Sequence, residues 1–582
     1  MIFEGFCGGT YQSESVNVDC QRAMNFYPET NAPASASQVS LYQRAGKLQF
    51  ADLGTGPVAG LFSYQPAGSP STRVFAVAGN FTEIFSDGSH QDYTFVSTGF
   101  PVTMAANNAN QIIICTGGNL WCFNTTTNTA AQVATGLGKQ FVQVAFLNGF
   151  FLALQANSQT VWFSAVEDGT SWDALDFFAV NLFPDNVLSM IVDHGLIWLH
   201  GPKQSAVYYN TTDQFNPFLP ATTQPIEQGT GAPFSEVKLD NSIYWIGADE
   251  RGQGVAWRAN GYVPQRITTY AVETAWQSYS MISDAVGYPY QENGHPFWII
   301  YFPTANKTWA YDASTGFWHE RCYLTPATGL EVADRGRCHV FAFGKHLVGD
   351  TQSGKIWDAS VNYVTDNGDP ISRYRRAPHL NRERKRNFYN MMQIDLESGL
   401  GPSISDTGSL SGSTEIILQD SGGQLWSIQM NGSFILTSTA VASGTAQTVV
   451  ILDSVTKAPW LLGVSTSGML TTTPSVLSGV YIFPIITSAV TQGQIMVSNG
   501  ILQSGAGTVA YRGPYVYLRW SDDGAHTWKN QQLRDAGQLG EYAKRVMWWR
   551  LGKSRDRVYE FGTSEAFSCR VVGAYMQLQA GN

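Results

Sequence analysis

Charge is what this chain of 582 residues has least of: Asp, Glu, Lys and Arg make up 14 % of it, against about 25 % in an ordinary soluble domain. Long apolar runs are missing as well. The longest, "NGFFLALQA" and "SGVYIFPIIT", fall short of the roughly 18 to 20 residues that a membrane-spanning helix requires, so no helical span is expected. The opening "MIFEGFCGGTYQSESV" has no basic start and no apolar stretch, so no secretory leader is expected either. The cysteines, Cys7, Cys20, Cys115, Cys122, Cys322, Cys338 and Cys569, are an odd number at irregular spacing, which argues for reduced thiols over a disulfide framework. Cys115 and Cys122 share one hairpin, "CTGGNLWC", and could approach each other, but two cysteines cannot complete a four-ligand zinc site. No phosphate-loop, H-E-x-x-H, EF-hand or G-x-S-x-G motif occurs, and neither metal nor cofactor is expected.

What the chain has in quantity is glycine (57 residues), aromatic residues (13 %) and Ser, Thr and Asn. β-branched and aromatic runs bounded by Gly, Asn and Asp point to a mostly β protein of several modules. One pattern recurs: a short apolar strand, a turn rich in Gly, Asn or Asp, and a second strand carrying an aromatic residue. It begins at Val74, Ile112, Phe151, Leu196, Ile243, Phe297 and Val340, at intervals of 38, 39, 45, 47, 54 and 43 residues. One four-stranded propeller blade takes about 40 to 50 residues. The expected fold is therefore a β-propeller of six or seven blades over residues 46–365, preceded by an N-terminal arm at 1–45. A series of β-sandwiches is the alternative.

Beyond the repeats the composition changes. Residues 371–390 hold Arg373, Arg375, Arg376, Arg382, Arg384, Lys385 and Arg386 against one acid, Glu383, and residues 534–557 hold Arg534, Lys544, Arg545, Arg550, Lys553, Arg555 and Arg557. These segments contain 14 of 35 basic residues but only four of 45 acids, which leaves 21 basic against 41 acidic residues elsewhere, a net of −20. Broad nucleic-acid binding is disfavoured by such a balance. The arginines are expected to meet acids of a neighbouring subunit, with contact to DNA as the second possibility. Between the segments, residues 401–500 contain 30 Ser and Thr and five charged residues, in alternating strands that suit half-buried antiparallel sheet. We expect an inserted β domain at 401–510 within a basic β region at 366–400 and 511–582. The flanking strands "NMMQIDL" and "YVYLRW" are expected to pair with one another.

Three local motifs bear on catalysis. "SDDGAHTW" (521–528) nearly matches the S-x-D-x-G-x-T-W hairpin of sialidases, with Ser521, Asp523, Thr527 and Trp528 in place and Ala525 where the pattern has Gly. In that motif the Asp accepts hydrogen bonds from turn amides, which is turn chemistry and not catalysis. The arginine cluster and tyrosine nucleophile of a sialidase have no second motif here. "GFWHERC" sets His319 and Glu320 beside Arg321; a hydrogen-bonded structural pair is expected, with Trp318 in a blade core and Asp312 and Gly316 in the turn before it. "DERGQG" (249–254) lacks the basic residue and helix start of a phosphate loop. No enzyme is expected.

Four stretches together carry a resemblance: "GTYQSESVNVDCQRAMNFYPET" (9–30), "DNSIYWIGADERGQGVAWRANGYVPQRITTYAVE" (240–273), "ENGHPFWIIYFPTANKTWAYDASTGFWHER" (292–321) and "LRWSDDGAHTWKNQQLRDAGQLGEYAKRVMWWRLGKSRDRVYEF" (518–561). The order of their N-F-Y-P-E, W-H-E-R and S-D-D-G elements resembles the packaged-DNA stabilisation proteins, or tail nozzles, of short-tailed bacteriophages. Residues 401–510 have no counterpart in that resemblance. It implies a structural virion protein of the tail, assembled in the host cytoplasm as a homo-oligomer, a hexamer. The implied partners are the portal-adaptor ring, a tail fibre, tailspike or needle, and double-stranded DNA in passage, without membrane insertion. Arg373, Arg375, Arg376, Arg382, Arg384, Lys385, Arg386, Arg545, Arg550, Arg555 and Arg557 are the expected subunit or adaptor interface. The alternative function is a receptor- or glycan-binding tail adhesin, with the 401–510 insert as its binding surface.

Overall fold

The computed structural model describes residues 2–398 apart from 67–70, 96–100, 212, 214–215, 249–253 and 382–384, and residues 514–581 apart from 538–540. Between these it describes strand backbone alone. The chain forms two compact units, Met1–Pro402 with Gly513–Asn582, and Ser403–Arg512.

Six four-stranded antiparallel sheets and one four-stranded stretch of a larger sheet, Val286–Glu292 to Trp318–Leu324, follow one another among the described residues of the first unit, the first built from Gly60–Tyr64, Arg73–Ala78, Asn80–Ile84 and His90–Phe95. Their strands run in chain order in every blade but the last. There Gly336–Ala342, Lys345–Asp350 and Lys355–Ser360 take their outer strand from Gly46–Asp52, with Gly46 opposite Ser360 and Asp52 opposite Lys355. Strand Gly336–Ala342 also packs against Gly60–Tyr64 of the first blade, so the ring closes and each blade keeps only its own short edges. The fold is a seven-bladed β-propeller. Asn148-Gly149 and Asn293-Gly294, both in the left-handed region, supply the tight turns from first to second strand that the twist of a hairpin favours.

The second strand of each blade is covered on both faces by its neighbours, as in Val74–Ala78, Phe151–Leu154 and Ile243–Ile246, which are buried throughout. Such strands read as unbroken apolar runs, and they are the ones the repeat pattern detects in six blades. In the seventh the run from Val340 lies on the first strand, and the turn Phe343-Gly344 precedes the second.

The rest of this unit is a β-sandwich. One sheet contains Cys20–Met24, Arg373–Arg376, Val558–Thr563, Tyr515–Ser521 and Gln532–Asp535; the other contains Phe26–Thr30, Val39–Gln43, Arg570–Ala580, Asn387–Glu397 and Lys544–Trp549. Phe26, Tyr389, Met392, Ile394, Leu518, Trp548, Phe561 and Met576 meet between them. Two expectations change here. The residues of the N-terminal arm are strands of both sheets. "NMMQIDL" and "YVYLRW" do not pair: their alternating apolar residues, Met392 and Ile394 against Val516 and Leu518, face each other across the core from opposite sheets. The sixth blade runs directly into the sandwich, because Trp318–Leu324 pairs in parallel with Cys20–Met24 at Glu320 and Met24.

The second unit contains two three-stranded sheets, beginning at Ile416–Gln419 and Val449–Leu452, and two hairpins, Ile485–Thr487 with Thr491–Gly493 and Ile495–Ser498 with Ile501–Ser504.

Candidate functional site

The N-F-Y-P-E and W-H-E-R elements meet at the joint between propeller and sandwich. Asn25, fully buried and at a φ of 53°, donates through Nδ2 to the carbonyls of Cys322 (3.0 Å) and Ser372 (2.7 Å). Its Oδ1 accepts from Arg44 Nε (2.8 Å) and the Cys322 amide (2.9 Å). Arg44 then pairs with Asp366 (2.5 Å) and Asp334 (3.5 Å), and Lys47 reaches Asp334 at 2.5 Å. His319 and Glu320 are not the hydrogen-bonded pair expected, since neighbours on a strand point to opposite faces. Glu320 takes a fork of bonds from Arg22 (2.8 and 2.6 Å), whereas His319 Nε2 accepts from Arg321 Nε at 3.3 Å. Burial and the Arg321 charge hold His319 well below the usual histidine range. Trp318 lies in a blade core with Trp276, Trp298 and Trp309. All seven cysteines are free; Cys115 and Cys122 stand on adjacent strands but face Leu120 and Ile113.

His295 is the histidine best placed for acid–base work, with Asp312 at Nδ1 (2.7 Å) and Glu29 at Nε2. Burial opposes its charge, but hydrogen bonds and charge from Asp312 and Glu29 hold it above the ordinary value. Ser314 Oγ lies 3.0 Å from the same Nδ1. That hydroxyl donates to Asp312 Oδ1 at 2.6 Å, and each ring nitrogen is already held by a carboxylate, so the imidazole is not placed as the base of a serine nucleophile and the group is built as a strut from the sixth blade to Phe26–Thr30.

The arginines of the two basic segments separate into three positions. Arg373, Arg375 and Arg557 are inside the sandwich, 1 %, 0 % and 2 % exposed. Arg375 donates to the carbonyls of Phe6 (2.6 Å), Gly9 (2.7 Å) and Gly5 (3.0 Å), and Arg373 to those of Phe567 (2.7 Å) and Glu565. Neither meets a carboxylate, and burial pushes both guanidinium groups down to about 10. Arg557 forks onto Asp522 (2.6 and 3.0 Å) and lies over the Tyr389 ring at 4.3 Å. These three hold the fold together and are corrected out of the expected interface. Arg376 is intermediate: it pairs with Glu560 (3.0 Å), which also receives Arg519, and both arginines cover the Trp528 ring at 4.8 and 4.9 Å. Arg382 and Arg384 lie outside the described residues, as does most of "DERGQG".

Lys385, Arg386, Arg545, Arg550 and Arg555 are exposed. Arg545 stands opposite Asp395. The others lie at the ends of the paired strands Asn387–Glu397, Lys544–Trp549 and Lys553–Ser554, where alternation puts Phe388 and Trp549 into solvent, 39 % and 55 % exposed. Lys553 is the register partner of Phe388, and Trp549 that of Met391. Arg550 turns the corner at a φ of 58°, its amide bonded to the Asn390 carbonyl at 2.9 Å. Among the described residues, Arg550, Lys553 and Arg555 form no ion pair. Phe388 and Trp549 escape the sequence reading, which has Lys553 in the second basic segment but not in the expected interface. The available signal is in "KRVMWWR": on a strand, one of two adjacent tryptophans must face outwards.

In the 521–528 turn, Asp523 accepts from the Thr527 amide (2.9 and 3.1 Å) and hydroxyl (2.5 Å) and from Ser521 Oγ (2.6 Å). Those bonds hold its carboxyl well below the usual range. Gly524 has a φ of 71°, and a Cβ there would come within 2.0 Å of Asn17 Oδ1. The motif is a hairpin lock against the N-terminal segment.

Residues 7–360 match the family model described as "Bacteriophage P22 Gp10, beta-propeller", and residues 485–579 that described as "Bacteriophage P22 Gp10, beta-sandwich". The chain belongs to the bacteriophage P22 Gp10 family. It is a structural protein of a phage tail, and its place is the virion. No curated protein matches it. Solved structures that resemble it include the computationally designed Ika8 protein (11 % identity, 58 % of this chain, 99 % of that one, TM-score 0.31) and the N-terminal domain of Nup159 (9 %, 58 % and 98 %, TM-score 0.35). A chain of the mitotic checkpoint complex matches at 10 % identity, 57 % of this chain and 96 % of that one, TM-score 0.35. Scores of this size carry no functional meaning.

Proposed function

We propose that this P22 Gp10 family member is a tail nozzle: a ring of copies, six by the family resemblance, that extends the portal-adaptor channel, retains packaged double-stranded DNA and conducts it at ejection. The observation that carries the reading is the family match over both the propeller and the sandwich. Two physical features support it. The propeller region is acidic, residues 46–365 holding 14 basic and 25 acidic residues, so phosphate finds little lasting counter-charge on it. The sandwich, by contrast, presents a compact basic and aromatic face suited to a protein partner. Assembly takes place in the host cytoplasm, and other surfaces take a fibre, tailspike or needle. The test is nuclease protection of the genome in particles made without this protein. Leakage of DNA from otherwise filled heads is expected; particles that keep their genome and infect normally would overturn the reading.

A further inference from the structure

On the basic and aromatic face of the sandwich Arg550, Lys553 and Arg555 form no ion pair among the described residues, and another surface of the same chain lacks bases. Between Lys139 and Lys203 there is no lysine or arginine, while Glu167, Asp168, Asp173, Asp176, Asp185 and Asp193 fall in that span. It contains the whole third blade, Phe141–Leu147 to Phe177–Ala179. On the outer edge of that blade, "DALDFF" (173–178) presents acid and apolar groups together. Asp173 accepts from the Leu175 amide at 2.8 Å, and this turn leaves Leu175 83 % and Phe177 44 % exposed, with Val166 64 % exposed on the preceding loop. Desolvation and the neighbouring Asp173 charge push the Asp176 carboxyl upward. Among the described residues neither aspartate is in an ion pair with a cation.

Exposed large apolar residues beside unmatched charge mark a protein-binding surface. We propose that the face formed by Phe388, Trp549, Arg550 and Lys553 in one copy docks on the outer edge of the third blade, around Asp173, Leu175, Asp176 and Phe177, of a second copy. The two patches are different surfaces of one chain, so the contact is heterologous and propagates from copy to copy, closing if the rotation allows. Pairing the basic face with itself would set like charges against each other. DNA would satisfy the cations but leave Leu175 and Phe177 of the third blade, and Phe388 and Trp549, without apolar cover. The inference rests on the ring reading above and names its contact.

Two measurements test it in assembled tails. In the first, Asp176→Cys and Lys553→Cys are combined in the full chain and tails are mildly oxidised; the native cysteines are buried or half-buried. Disulfide-linked multimers on non-reducing gels are expected from the double variant and not from either single one. In the second, Arg550→Glu with Lys553→Glu, and separately Asp173→Lys with Asp176→Lys, should each reduce the copies incorporated per tail at least tenfold, and all four changes together should restore them. Rings that form normally in the double-cysteine variant without any cross-link would overturn the proposed contact and leave the ring reading standing. Full incorporation of either charge-reversed pair would do the same. Tails containing a single copy would overturn both. If the Arg550→Glu, Lys553→Glu pair assembles normally and loses only affinity for a short labelled duplex, the face is a DNA contact and the proposal is wrong.

Discussion

Arg375 and Arg550 come from segments that look alike in sequence, each a short run dense in arginine, yet one is wholly enclosed and the other stands in solvent. The enclosed arginines, 373 and 375, spend their donors on backbone carbonyls from remote stretches: residues 5, 6 and 9 for one, 565 and 567 for the other. The planar fork of a guanidinium can satisfy several fixed carbonyls at once, which an ammonium cannot. Exposed Arg550 follows Trp549, exposed Lys553 is the register partner of Phe388, and among the described residues neither is in an ion pair. The difference teaches that local charge density marks neither surface nor interface. Position on the strand and the partners that the topology brings within reach decide.

The comparison would break most visibly at Arg375. Replacing it with Met leaves the buried carbonyl of Phe6 and the part-buried carbonyls of Gly9 and Gly5 without their donor, at roughly 1 to 3 kcal/mol for each unsatisfied group that water cannot reach. A loss on the order of 3 kcal/mol in urea unfolding is expected, with faster amide exchange over residues 5–9, because part of that cost is recovered by relaxation. Arg375→Lys should recover less than half of the loss. If Arg375→Met unfolds at the wild-type urea concentration, the buried arginines are incidental.

Much of the propeller is legible from residues alone, and the reason is burial. A second strand such as Ile112–Cys115 is covered on both faces and reads as a continuous apolar run, whereas fourth strands such as Thr129–Gln132 and Val263–Arg266 are largely exposed and leave no pattern. The closing strand Gly46–Asp52 belongs to a sheet whose other members lie about 300 residues away, and no local period reports that. The basic face is half legible: the arginine runs are plain, but which members face out depends on the alternation that puts Trp548 in the core and Trp549 in solvent. The buried joint at Asn25 and Arg44 is invisible for the same reason as the closing strand, since its partners Cys322 and Asp366 are remote in sequence.

His379, from the first basic segment, lies between the two extremes and sharpens the comparison through pH. Its Nδ1 meets Asp556 of the second segment at 2.9 Å, and its Nε2 meets the Val16 carbonyl at 2.8 Å. The hydrogen bond to Asp556, helped by Cys20, raises it to about 10. A raised histidine stabilises the fold fully below its unfolded value of about 6.5 and loses that contribution as pH rises through the folded value. The stability difference between wild type and His379→Gln should therefore be greatest below about pH 6.5 and shrink towards pH 10. A difference that is flat across this range would remove His379 from the links between the segments.

The smallest effect is expected at the hairpin that Arg376 and Arg519 cover. Ala525 sits at a φ of 70°, its amide donating to Ser521 Oγ at 2.9 Å. An alanine in the left-handed region costs about 1 kcal/mol relative to glycine, partly offset by the extra freedom that glycine gives the unfolded chain. Ala525→Gly should thus raise stability by about 0.5 kcal/mol. At the adjacent position the direction reverses, because the same φ at Gly524 comes with Asn17 Oδ1 2.0 Å from where a Cβ would be. Gly524→Ala has to displace the N-terminal segment and should cost about 1 to 2 kcal/mol. Thermal unfolding of the two variants decides the matter: opposite signs at neighbouring residues would show that the turn is set by its contact with Asn17. Equal destabilisation would mean that Ala525 has a packing role of its own beside the arginine-covered Trp528.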